Sequence, residues 1–124
     1  MTENNPSKRE IGNEFEEKAV KFLEAHGYEI LDRNVNYRWG EIDIVTIDSK
    51  TKDLVFVEVR SRSADAMTSP AESITYSKQL RLKRAIETYL ASPKGIQLGL
   101  KLDGIRIDLV AFEGEQVAHW KSFL

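Results

Sequence analysis

Two short apolar runs, IDIVTI at residues 42–47 and LVFVEV at 54–59, flank the polar stretch DSKTKD. Their length and β-branched content predict two strands, and the polar connection predicts that they pair as a hairpin. A further strand is predicted upstream, over residues 28–35. Before it, Ile11, Phe15, Ala19, Phe22 and Leu23 recur at helical spacing until Gly27, behind the S-x-x-E capping pattern of Ser7 and Glu10, so a first helix is expected over about residues 8–26.

Downstream, a Ser/Thr/Pro-rich segment at 61–75, with Pro70 inside it, breaks the pattern and reads as a long loop at a functional edge. A second helix is expected over 76–91, ended by Pro93 and Gly95. Residues 105–112 alternate as a strand, and 117–120 form a last one after the turn-like EGE. Between helix and strand, GIQLGLKLDG alternates too, but its glycines suit a loop as well as a strand. Helix, three strands, helix and one or two further strands make an α/β or α+β sandwich on a mixed sheet.

The chain has 124 residues, which predicts one domain over 1–124 with a short polar tail, MTENNPSKREIG. At this size folding removes roughly 65–70% of the unfolded surface from water, enough for a core. Hydrophobic residues at 41% and charged residues at 31% exclude disorder over most of its length. With no cysteine there is no disulfide framework, thiolate zinc site or cysteine nucleophile. No apolar run has the length of a signal-peptide core or a membrane span, so the expected location is the cytoplasm. A net charge of −2 excludes coating of nucleic acid by bulk charge, though a local basic patch is compatible with it. No Gly-rich phosphate loop, Ser/His/Asp set or dinucleotide fingerprint occurs.

Acids inside the hairpin are the unusual feature. Strict alternation puts Glu41 and Asp43 on one face with Val45 and Ile47, and Phe56, Glu58, Arg60 and Arg62 on one face of the next strand. Pairing as a hairpin brings Asp43 and Glu58 to the same end of the sheet. Two carboxylates that close repel and call for a cation. Hard oxygen donors without histidine or cysteine suit Mg²⁺ or Mn²⁺. The competing reading is a plain salt bridge from Asp43 or Glu58 to Arg60 or Arg62 at a polar sheet edge.

The succession GEIDI, polar turn, FVEVRSR resembles the second and third strands of the PD-(D/E)XK nuclease superfamily. More narrowly, the chain is similar to the YraN-type family of uncharacterised bacterial proteins, related in fold to archaeal Holliday-junction resolvases. The likeness extends over Gly12 and Glu14, Gly27-Tyr28, Asn34, GEID, FVEV, Pro70, Lys78-Gln79 and RIDLV at 106–110. It implies a restriction-endonuclease-like αβββαβ core, a mixed central sheet flanked by helices. It further implies that Asp43, Glu58 and the Val59 carbonyl hold Mg²⁺ or Mn²⁺, that Glu14 reaches the metal through water, and that Gln79 holds substrate or water. Lys18, four residues on, gives Glu14 an alternative as a surface ion pair. Gln79 falls in the apolar arc of Leu82, Ile86 and Leu90, where its amide needs a partner, whether in a site or in the helix's first turn.

One position departs from the superfamily pattern: Arg60 stands where the signature lysine is expected. A guanidinium stays charged, so it can stabilise charge on a phosphate but not accept a proton. Lys78, Arg81 and Arg84, with Arg62 upstream, form a basic stripe suited to sequence-independent phosphate contacts or to a solvated helix face. Tyr37, Arg38 and Trp39 suit stacking on unpaired bases, or for Trp39 a covered sheet edge. His26 and His119 read as packing or capping residues. The expected function is a divalent-metal-dependent endonuclease that hydrolyses DNA phosphodiesters at branched or damaged structures. The alternative is a nucleic-acid-binding or adaptor protein that keeps the nuclease fold without its chemistry. A homodimer is implied by analogy with the resolvases.

Overall fold

The computed structural model describes residues 8–63 and 67–124, with the side chains of the first helix described from Asn13 onward. The predicted capping pair Ser7 and Glu10 and the side chain of Ile11 lie outside that set. The elements are α1 (Lys8–Ala25), β1 (Tyr28–Tyr37), β2 (Gly40–Asp48), β3 (Asp53–Arg62), a 3₁₀ turn (Ala71–Ser73), α2 (Tyr76–Ala91), α3 (Pro93–Lys101), β4 (Gly104–Glu113) and β5 (Gln116–Trp120). The expected α-β-β-β-α-β order is present, followed by the expected last strand as β5, with α3 inserted. No helix among the described residues is long and apolar enough to cross a membrane.

The strands form one sheet in the order β1-β2-β3-β4-β5, antiparallel except where β3 and β4 run parallel. A parallel pair needs a crossover, and α2 with α3 makes it. On one face α1 lays Ala19, Val20 and Leu23 against Ile44, Val55, Val57 and Val110. On the other, α2 lays Leu82, Ala85, Ile86 and Tyr89 against Ile42, Val45, Leu54 and Phe56. With helices on both faces the central strands have no solvent side, which is why LVFV runs apolar without alternating.

The segment 93–101 is neither strand nor loop but helix. Ser92 Oγ accepts the Gly95 N–H at 3.1 Å, and Pro93 occupies the first turn, where its missing donor costs nothing. Pro93 and Gly95 therefore open a new helix, in addition to following α2. A Cβ on Gly95 would overlap the Tyr89 carbonyl, so the α2–α3 corner closes this tightly only around glycine. The apparent alternation of Ile96, Leu98, Leu100 and Leu102 resolves into two helical pairs. Leu98 and Leu102 pack on the core, while Ile96 and Leu100 are exposed.

Opposite the acidic end of the hairpin, Arg106 ties the sheet together. Its guanidinium donates to Asp108 at 2.9 Å, Asp48 at 3.1 Å, Asp53 at 3.3 Å and the Tyr28 hydroxyl at 2.8 Å. His119 Nε2 lies 2.7 Å from Asp108 Oδ2, and its ring meets those of Phe22 and Tyr28. It is thus a packing histidine with a buried acid as partner. Burial alone would raise the pKa of Asp108, but the bonds from His119, Arg106 and the Ser122 N–H outweigh it and hold it low. Asp48 is held low in the same way by Lys50 N–H and Arg106, against burial. A depressed carboxylate contributes stability above its unfolded pKa of about 4 and loses it as pH falls through the folded value. Thermal melts should therefore show a steep loss of stability below about pH 4. Asp108→Asn should flatten that acid limb, and an unchanged limb would refute the assignment.

Candidate functional site

The acidic end of the hairpin departs from regular strand geometry, and this sets the site. The β2–β3 ladder stops at Ile44 opposite Val57. Asn34, on β1 beside Asp43, has a left-handed backbone with φ +50°, a conformation asparagine tolerates better than most residues. Ile42 packs on the α2 face and Ile44 on the α1 face, although they are two residues apart. Strict alternation therefore breaks between Ile42 and Ile44, at Asp43. This residue sits where β2 parts from β3. There Asp43 Oδ2 accepts the Val59 N–H at 2.8 Å, a donor that the β2 backbone no longer reaches.

Glu58 follows its expected face, the α2 side, and is only 1% exposed. Lys78 Nζ, from the first turn of α2, lies 2.9 Å from Glu58 Oε1. That contact is an ion pair between a buried carboxylate and a partly exposed ammonium. Burial, then the charge of Glu58, pushes Asp43 well above the ordinary carboxylate range, against the Val59 N–H and Lys78. Asp43, Val59 and Lys78 line a cavity of about 540 Å³ together with Asn13, Glu16 and Asn34.

The remaining predicted residues divide clearly. Glu14 does not approach the site: it is exposed and pairs with Lys18 at 3.3 Å, the alternative its spacing allowed. The α1 acid that lines the cavity is Glu16, 5% exposed and bonded to Arg33 at 3.4 Å. Burial raises its pKa, and the Arg33 bond opposes this. Its signal was available, since Glu16 shares the arc of Ala19, Val20 and Leu23. Arg60 donates to the Ser73 carbonyl at 3.2 Å and hydroxyl at 3.4 Å, fastening β3 to the 3₁₀ turn. Gln79 donates to the Ile74 carbonyl at 3.2 Å, the first-turn role open to it. Arg62, expected as a phosphate contact, donates to Thr68 O and to Ser69 O and pairs with Glu113 at 3.6 Å.

Of the basic stripe, Lys78 is at the carboxylates, which sequence reasoning did not foresee, and Arg81 is exposed beside it. Arg84 lies over the Trp39 ring at 4.7 Å. Trp39 Nε1 donates to Thr88 Oγ1 at 3.1 Å, so Trp39 covers the sheet edge. His26 Nδ1 bonds the Phe22 carbonyl at 2.7 Å, a helix-capping contact. No group of three or more His, Asp or Glu side chains among the described residues is arranged to hold a metal ion.

The model for the uncharacterised protein family UPF0102 matches residues 15–112. A UPF0102 protein of Caldicellulosiruptor saccharolyticus is 42% identical over 101 residues, covering 82% of this chain and 84% of that one. Another, of Geobacter metallireducens, is 38% identical over 113 residues, covering 90% and 88%. Among solved structures, the chain is similar to the crystal structure of a repair endonuclease from Pyrococcus abyssi, with a TM-score of 0.39 and 18% identity over 90% of this chain. It spans 40% of the length of that endonuclease chain. By the extent of these sequence matches, the chain belongs to the uncharacterised protein family UPF0102, the YraN-type family that its motifs resemble.

Proposed function

We propose that this protein is a divalent-metal-dependent endonuclease acting on DNA phosphodiesters, with Mg²⁺ or Mn²⁺ held by Asp43, Glu58 and the Val59 carbonyl. The observation that carries this reading is a pair of neighbouring carboxylates, Glu58 buried and Asp43 half-buried at the cavity, whose like charges oppose one another beside the Lys78 ammonium. Like charges held this close away from bulk water repel, and a cation between them offsets that cost. Two carboxylates and a carbonyl suit magnesium, which keeps several waters and takes substrate oxygens for the rest of its shell. A divalent cation there supplies charge neutralisation at the phosphate and a more acidic water. Hydrolysis adds water to phosphorus and releases the sugar oxygen as a hydroxyl.

Lys78 is the protein cation at the reacting phosphate in this reading. One of its three donors faces Glu58, and its position lining the cavity lets the others meet a phosphoryl oxygen. Arg60 supports the turn that leads into α2 and acts through position. Lys78 and Arg81, with Arg84 further along the helix, bind the DNA backbone without reading sequence.

The test is a thermal shift with Mn²⁺ followed by DNA titration. Mn²⁺ at 100 times its Kd should stabilise the parent by about 2.7 kcal/mol. Duplex and four-way-junction DNA should bind with an affinity that drops about 10- to 40-fold between 50 and 200 mM salt, as two to three phosphate contacts require. No Mn²⁺ shift would refute the metal centre. A shift with DNA binding but no cleavage on any substrate would favour the non-catalytic binding protein.

A further inference from the structure

Beside the carboxylates lies a second cavity, of about 200 Å³, lined by Asn36, Tyr37, Gly40, Glu41, Lys78, Arg81 and Leu82. Asn36, Glu41 and Lys78 line both cavities, so the two adjoin. We propose that this smaller cavity receives one unpaired nucleobase adjoining the phosphate bound at Asp43 and Glu58, which makes gapped and single-stranded DNA the preferred substrate over continuous duplex. The proposal rests on the endonuclease reading above and specifies its substrate class.

Size is the first argument. Pockets for whole drug-sized ligands run to about 300–1,000 Å³, so this one has room for a single ring system. Its lining is the second. Tyr37 and Leu82, the latter buried in the core, provide apolar wall, while Asn36, Arg81 and Glu41 bring donors and acceptors. Lys78 and Arg81 would attract a free phosphate, but it would gain nothing from Leu82 or Tyr37 and would be repelled by Glu41. A planar heterocycle with donors and acceptors on its edge uses all of them.

Rigidity is the third. Tyr37 stacks with Trp39, ring centroids 6.0 Å apart and planes within 9°, and Trp39 is itself held by Thr88 and Arg84. Gly40 lies so close to α2 that a Cβ would overlap the Arg81 carbonyl, which locks the β1–β2 turn against the helix. The pocket is therefore formed before any ligand arrives, which lowers the cost of binding. A base inside a duplex must unpair and unstack to enter, whereas one already unpaired does not.

Titration of the full-length protein in Ca²⁺ tests this with two DNA probes of equal length. One is a gapped duplex with a single unpaired 2-aminopurine nucleotide, and the other a continuous duplex in which that base is paired. The gapped probe should bind at least about tenfold more tightly, with a change in 2-aminopurine emission on binding. Affinities equal within about twofold, or unchanged emission, would overturn the proposal. Asn36→Ile places a branched side chain at the exposed edge of the pocket and should cut the preference below about threefold. A folded Asn36→Ile protein with full preference would also overturn it, and if that variant does not fold the parent titration decides alone. A parent that shows the Mn²⁺ shift without gap preference loses only the base pocket. A parent without the shift loses the metal centre and this proposal with it.

Discussion

Asp43→Asn is expected to abolish Mn²⁺-dependent cleavage and, in the same protein, to raise the melting temperature without metal. Both effects have one cause. In the metal-free fold, Asp43 and Glu58 are neighbouring like charges, Glu58 buried and Asp43 half-buried, and desolvation together with Glu58 pushes Asp43 toward its neutral form. Asparagine is neutral from the start and nearly the same shape, and its side-chain oxygen can still accept the Val59 N–H that Asp43 Oδ2 accepts at 2.8 Å. Relief of the repulsion should stabilise by about 2 kcal/mol, a rise of about 5–10 °C at this chain length. The carboxylate lost is a direct metal donor in the proposed centre, so metal affinity and cleavage should drop by more than about 100-fold. Glu58→Gln should remove cleavage equally but give no such stabilisation, because Lys78 then loses its partner. An Asp43→Asn protein that melts at or below the parent temperature would show that the two carboxylates do not oppose one another.

Lys78→Met should cost both stability and activity, whereas Arg60→Lys should cost little of either. Glu58 is 1% exposed and Lys78 is the cation 2.9 Å from it, with its own side chain 32% exposed. Removing one partner of a fully buried pair costs about 3–5 kcal/mol, and the partial exposure of Lys78 lowers that to about 2 kcal/mol here. If Lys78 also meets the phosphate, loss of its charge removes transition-state stabilisation worth about 10²–10³ in rate. Arg60 is spent on Ser73, so its replacement by lysine should lower stability by about 1 kcal/mol and change cleavage less than about threefold. Steady-state rates and melts on the two variants separate the roles. Steep loss of cleavage in Arg60→Lys with Lys78→Met still active would return the phosphate-binding role to Arg60.

The two helices, the hairpin and its acids were legible in the chain because each is written in a local period. The second helix runs over Tyr76–Ala91, the span its periodicity predicts, and Thr75 caps it through a bond from Lys78 N. The identity of Asp43 and Glu58 as a pair was legible as well, through two carboxylates in otherwise apolar strands. The segment at 93–101 was misleading for a local reason too: apolar residues at every second position fit a strand as well as paired helical positions, and only the Ser92–Pro93 cap decides between them.

What the chain did not disclose concerns how its elements diverge. Alternation assigns a face only while a strand stays paired, and β2 leaves β3 after Ile44, so the face of Asp43 is decided by the splay of the sheet and by Asn34. Glu14 and Glu16 are two residues apart on one helix, and the docking angle of α1 turns one to solvent and the other to the cavity. Long basic side chains are harder still, because their charge lies several bonds from the backbone. Arg60 and Arg62 lie on the strand that carries Glu58, yet their guanidinium groups reach the 3₁₀ turn and the preceding loop, while the cation that meets Glu58 comes from a helix 20 residues later in sequence. Local sequence determined which charges lie near the sheet end, and the packing of α2 across it decided which of them pair, because a buried charge is stable only beside the partner that tertiary structure delivers.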